Sequence, residues 1–154
     1  MSMRVTTLMM SALLLAAVAA CGAAGSSGSP AVAGGAISVT GAWVRAAAAG
    51  ATSAAYLTIV NGTAADDALT AVSSPVARSA SLHETSVDAS GMAGMHQIDR
   101  IAVPAGGSVS LEPGGYHAML MDLAADLEAG STVSLTLTFS VAGPIQVQAE
   151  VRAS

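Results

Sequence analysis

Thr132–Val141 (TVSLTLTFSV) and Ile145–Arg152 (IQVQAEVR) alternate apolar and polar residues along almost their whole length. A period of two puts every second side chain on the same face of an extended strand. Val133, Leu135, Leu137 and Phe139 therefore form one apolar face, and Thr132, Ser134, Thr136 and Thr138 the polar one. Working back toward the N-terminus, the same pattern recurs in short runs separated by turn residues. Tyr116–Asp122 follows the tight turn Pro113-Gly114-Gly115. Ser108–Leu111, Gln97–Val103, Arg78–Thr85 and Ala68–Ser73 precede it, the last bounded by Pro75. Ser53–Asn61 stops at the turn dipeptide Asn61-Gly62, and Ile37–Arg45 opens the series. From Ile37 onward no window sustains a 3.6-residue apolar repeat. Ala46–Ala51 is Ala and Gly without a face and reads as a loop, while Asp122–Glu128 is expected to make one helical turn. Roughly seven to nine short strands spaced by turns predict an all-β antiparallel sandwich or barrel.

The bulk composition points elsewhere until it is divided. The chain has 154 residues, of which 53% are hydrophobic and 10% charged. Much of that apolar share lies at the start. Arg4 supplies a positive n-region, and Leu8–Ala20 (LMMSALLLAAVAA) is an apolar run too short for a comfortable membrane span. It ends in Val18-Ala19-Ala20-Cys21, which resembles the lipobox of bacterial lipoproteins. Residues 1–20 are thus expected to be a cleaved signal peptide, with Cys21 lipidated as the first residue of the mature chain. Residues 21–36 carry that Cys and a flexible linker of small residues, and 37–152 form the β-domain. The expected location is the outer face of the cytoplasmic membrane or the periplasm. The lipid is the only anchor, since no later stretch is long and apolar enough to span. The net charge is −5, and removal of Arg4 leaves the mature chain at −6 with no Lys. Such a balance excludes a nucleic-acid binder, which needs cations against phosphates. The single Cys excludes an intrachain disulfide framework.

The distribution of soft donors points to chemistry. Met1, Met3, Met9 and Met10 leave with the leader. Every remaining Met (Met92, Met95, Met119, Met121) and every His (His83, His96, His117) lies between His83 and Met121. Gap-filling core Met would scatter. On a strand, His117, Met119 and Met121 share one face, while Tyr116, Ala118 and Leu120 take the other. Met92 and Met95 sit in a glycine-broken segment, Ser90–Met95, able to fold back over a neighbouring strand, and His83 closes the run Ala80–His83. Thioether with neutral imidazole is a soft, uncharged donor set suited to Cu(I) rather than Zn(II), Mg(II) or Ca(II). Two His and two Met fill a four-coordinate site with no open position, which favours transport over catalysis, and no enzyme activity is expected.

At these residues the chain resembles the extracytoplasmic copper chaperones of the PCu(A)C family. His83 is followed by one residue, ten more, Met95, twenty-one residues and then His117-Ala118-Met119, in the family's spacing. The position after His83, often Met in the family, is Glu84 here. Flanking segments match too, among them Ala42–Arg45, Ala55–Ile59, Ile101–Gly107 and Pro113–Met121, so the likeness covers Ile37–Arg152. The resemblance implies a cupredoxin-like β-sandwich holding one Cu(I) through His83, Met95, His117 and Met119. It further implies a copper-accepting oxidase subunit as partner, typically at the binuclear CuA centre, sometimes alongside a thioredoxin-like copper chaperone. A monomer is expected.

The other candidates are weaker. Met92 is read as a hydrophobic wall or an exchange ligand. Met121 lies one step deeper than Met119 and is expected in the core. His96 should point away from its neighbour Met95, but with Glu84 it could serve an auxiliary Cu(II) site. Trp43 and Tyr56 are read as core or rim packing. Asp66, Asp67, Asp122, Asp126 and Glu128 are read as solvated loop charges. The competing reading is a lipid-anchored, immunoglobulin-like binding or scaffold module in which Met and His are structural.

Overall fold

The computed structural model describes residues 35–153. The leader, Cys21 and the linker through residue 34 lie outside the described residues. Ten strands follow in chain order: β1 (Ile37–Arg45), β2 (Ser53–Asn61), β3 (Asp67–Ser73), β4 (Ala77–Val87), β5 (Ala93–Ile98), β6 (Ile101–Val103), β7 (Ser108–Leu111), β8 (Tyr116–Leu123), β9 (Thr132–Phe139) and β10 (Gly143–Arg152). They hydrogen-bond in the order β5-β4-β8-β7-β2-β1-β10-β9-β3-β6, with β8 also pairing β2. Among the described residues no helix is long and apolar enough to cross a membrane.

The alternation that predicts β9 governs its packing. Val133, Leu135, Leu137 and Phe139 are all buried, and Leu135 and Leu137 are 0% exposed. They meet Ala149 and Val151 of β10, Leu69 and Val72 of β3, and Ile59, Leu82, Ala118 and Leu120 from the β2-β4-β8 side in one core. Burial of a Leu or Ile side chain stabilises by about 1.5–3 kcal/mol, so this continuous apolar layer is what holds the strands over one another.

Four expectations are corrected. Gln97–Val103 is not one strand: β5 ends at Ile98 and β6 starts at Ile101, so Asp99-Arg100 turns the chain from β4 to β3. No helical turn forms at Asp122–Glu128. Asp122 takes φ 55°, β8 ends at Leu123, and Leu127 makes an isolated bridge with Ala47 of the Ala46–Ala51 loop. The sheet is not wholly antiparallel, because β1 runs parallel to β10 and β7 parallel to β8. Finally, Asp67 is not a solvated charge. It is 8% exposed, and its carboxylate accepts hydrogen bonds from the N–H groups of Ala68, Val141 and Ala142 and from the Ser140 hydroxyl. Asp67 thereby clamps the β9–β10 turn. Its neighbours in that reading are also engaged: Asp66 accepts from Ala105 N–H, Asp126 from Ala49 N–H, and Asp122 pairs with Arg78.

Candidate metal centre

Strand register assembles the site. His83 on β4 lies directly opposite His117 on β8, and Ser81 lies opposite Met119. On the other flank of β4, Thr85 is opposite Met95 of β5. Paired residues share a face, and so do residues two apart on one strand. His83, Met95, His117 and Met119 therefore project from one face of the three adjacent strands β5-β4-β8. This is the face turned away from the core, since Leu82 and Ala118, which alternate with them, are buried in it. His83 is mid-strand rather than at a strand end.

Each ring is oriented by its surroundings. Glu112 C=O accepts from Gly115 N–H at 3.0 Å, closing a turn with Gly114 at φ 86°. A residue at this turn position needs positive φ, which glycine supplies without a Cβ clash. The turn points Gly115 C=O at the His117 ring, whose Nδ1–H donates to it at 3.1 Å. That bond selects the tautomer with a free lone pair on Nε2. His117 Nε2 then faces Met95 Sδ at 3.3 Å, reached across the intervening β4. With the proton on Nδ1, these are two lone-pair donors turned toward each other. Donors about 2.0 Å (N) and 2.3 Å (S) from a shared tetrahedral ion would stand roughly 3.5 Å apart. The 3.3 Å spacing is close to that.

The His83 ring stacks on His117 with centroids 5.8 Å apart. Its Nε2 is 2.8 Å from the Ser81 hydroxyl, and its buried Nδ1 has no hydrogen-bond partner. A buried ring nitrogen left without a partner is costly unless something else binds it. Burial, then the neighbouring His117 and His96, hold the His83 pKa below the ordinary value near 6.5. The ring is therefore kept neutral, the form in which imidazole ligates. His117 itself is only 4% exposed, with the Tyr56 ring 6.5 Å away. Tyr56 packs in turn against Trp43 at a tilt, with centroids 4.5 Å apart, across a β1–β2 register that shifts between Thr40 and Trp43, where Gly41 takes φ 62°. A cleft of about 420 Å³ opens beside the ligands, lined by Arg45, Ser53, Tyr56, Met95, His117 and Met119 among others.

The remaining candidates separate from this group. Glu84 pairs in register with both Tyr116 and His96, so Glu84 and His96 leave on the side that Leu82 uses, opposite the four ligand candidates. There His96 Nε2 lies 3.4 Å from Glu84 Oε2. Met121 shares the face of Met119 but is half-buried rather than in the core. Met92 is 68% exposed on the β4–β5 turn, where Asp88 accepts from its N–H. Among the described residues no three of His, Cys, Asp and Glu converge as a metal site. The candidate donors that share one face are two imidazoles and two thioethers. Ser81, Gly115 and Arg45 were not picked out from the sequence. Strand parity with His83 marks Ser81, whereas Arg45 closes the Ala42–Arg45 segment and is far from the ligand candidates in the chain.

A family model described as "Putative lipoprotein LpqE-like" matches residues 37–151. The chain belongs to the LpqE-like family. A protein of Leifsonia xyli subsp. xyli named "Putative lipoprotein Lxx21020" is 41% identical over 105 residues, covering 68% of this chain and 62% of that protein. The chain thus spans less than two thirds of that relative's length. The LpqE-like domain is similar in structure to the "Copper-bound PCuAC domain from PmoF2", with TM-score 0.65, 29% identity, and coverage of 79% of this chain and 97% of that one. It is also similar to "CuI-DR1885 from Deinococcus Radiodurans", with TM-score 0.57, 32% identity, and coverage of 75% and 79%. The fold is the cupredoxin-like β-sandwich of PCuAC domains, as the resemblance implied.

Proposed function

We propose that this LpqE-like protein is an extracytoplasmic Cu(I) metallochaperone that holds one ion through His83, Met95, His117 and Met119. The observation that carries the reading is the approach of His117 Nε2 to Met95 Sδ at 3.3 Å, with His83 and Met119 on the same face. Four neutral donors leave the loaded site at +1, so a partly exposed position costs little desolvation, and thioether with imidazole selects a soft monovalent ion. The copper-bound PCuAC neighbour supports the same assignment.

In this role copper is cargo. Met95 is 57% exposed, so the ion is reachable from solvent. An acceptor with thiolates binds Cu(I) more tightly than thioethers do, and stepwise ligand exchange runs downhill. The acceptor we propose is a respiratory oxidase subunit at its CuA centre, with a thioredoxin-like chaperone acting alongside. Lipidation at Cys21 would keep a monomeric domain at the outer face of the cytoplasmic membrane. X-ray absorption of the Cu(I)-loaded protein tests the site. Two sulfur and two nitrogen scatterers are expected, and a shell without sulfur overturns the ligand set.

A further inference from the structure

The copper cleft carries a single cation and no acid. Arg45 lines it together with Met95, His117 and Met119, and no Asp or Glu does. Two other arginines are neutralised. Arg152, the register partner of Arg45 on β10, holds Glu150 through Nε and Nη2 at 3.0 and 2.9 Å and lies over Trp43. Arg78 is paired with Asp122 at 3.0 Å. Among the described residues no carboxylate comes within ion-pairing distance of Arg45. Its backbone is nonetheless pinned: the hydroxyl of Ser53, 3% exposed, donates to Arg45 C=O at 2.6 Å. The result is an exposed, unpaired guanidinium beside a neutral ligand set, on a backbone held by Ser53, in a chain whose net charge is −5.

Resting on the Cu(I) reading above, we infer that the cleft is the docking surface for an anionic, dithiolate-bearing protein segment, with Arg45 as its charge anchor. The chemistry of the exchange calls for one. As Cu(I) moves from two thioethers and two imidazoles to two sulfurs, the acceptor thiols release two protons to solvent, copper stays Cu(I), and the dithiolate–copper product bears one negative charge. A cation at the rim stabilises the incoming thiolates and that product. The long-range field of an acidic chain repels such a segment, so local attraction at the cleft decides which partner can approach.

The test uses Cu(I)-loaded full-length protein and two dithiol peptides of identical length, one flanked by Glu and one by Lys. Transfer rates are followed at about 0.15 M salt, where a Debye length of about 8 Å screens the chain's net charge more than a contact at the cleft, for the native chain and for Arg45→Gln and Arg45→Lys. The native chain is expected to favour the Glu-flanked peptide by about fivefold, as rim charges act mainly on association. Arg45→Gln removes or inverts the preference, Arg45→Lys retains it, and added salt reduces it. An unchanged peptide preference in Arg45→Gln overturns the inference. Metal analysis separates the two readings. Bound Cu(I) with charge-blind transfer overturns the docking inference alone, whereas a chain that retains no Cu(I) overturns the chaperone reading and this inference with it.

Discussion

Replacing Met95 by Leu, with Met92→Leu as its companion, isolates ligation from packing. Both thioethers lie on the β4–β5 hairpin, three residues apart, and both are exposed, Met95 at 57% and Met92 at 68%. Leu is close to Met in volume, so at such exposed positions each change should alter folding stability by no more than about 0.5 kcal/mol. Met95 also loses its sulfur–imidazole contact with His117, and an S–aromatic contact is worth about 0.3–1.5 kcal/mol. That sets an upper bound on the structural effect. The copper effect should be larger. Losing a group that merely orients a ligand typically costs about 10–100-fold in metal affinity, and losing the donor atom should cost no less. Each factor of ten is about 1.4 kcal/mol, so Met95→Leu is expected to weaken Cu(I) binding by about 1.4–2.7 kcal/mol or more, and Met92→Leu by less than threefold. Competition against bathocuproine disulfonate reads the affinities, and thermal unfolding of the metal-free variants reads the fold. Equal losses in the two variants, or no loss in Met95→Leu, would refute the reasoning from the 3.3 Å contact.

Met119→Leu should lower Cu(I) affinity by a similar factor with little change in unfolding midpoint, measured by the same titration. Gly114→Ala forces a Cβ onto φ 86° and should cost about 1–2 kcal/mol in chemical denaturation. It should also weaken copper binding, because Gly115 C=O no longer holds the His117 ring in place. For Asp67, burial pushes the carboxyl pKa up, but hydrogen bonds from Ala142, Val141 and Ala68 N–H and from Ser140 outweigh it and hold the value below 3.8. A depressed folded-state pKa stabilises above the unfolded value and loses that contribution as pH falls through the folded value. Stability of the native chain should therefore decline below about pH 4 more steeply than that of Asp67→Asn, as denaturant midpoints across that window would reveal. Leu135→Ala, at a site with 0% exposure, should cost about 2–5 kcal/mol of unfolding free energy without touching the donors.

The strands of this domain were legible because a half-buried strand writes its burial into the sequence. Val133, Leu135, Leu137 and Phe139 are inside because each lies two residues from the next, and no tertiary contact is needed to see it. The turn before His117 was legible for a similar local reason, since Pro113-Gly114 carries its own backbone geometry. The candidate donors were legible from chemistry and spacing, because every Met and His beyond residue 20 lies between His83 and Met121. Periodicity, however, is silent on partners. It could not say that β1 joins β10 in parallel, or that Asp99-Arg100 breaks one apolar run into two strands serving different neighbours. Strand parity turns His96 away from Met95, but it could not say that Glu84 and His96 stand opposite each other across β4 and β5. Asp67 looked like any loop carboxylate until the β9–β10 turn, more than seventy residues later, brought N–H groups to it. Arg45 is likewise distant in the chain from the donors it stands beside, and only the fold brings them to one cleft. Residue types and their spacing thus determine what the chain can bind and which segments are strands. Which donors meet, and which charge stands beside them, is decided by interstrand register, a long-range property that the whole core sets at once.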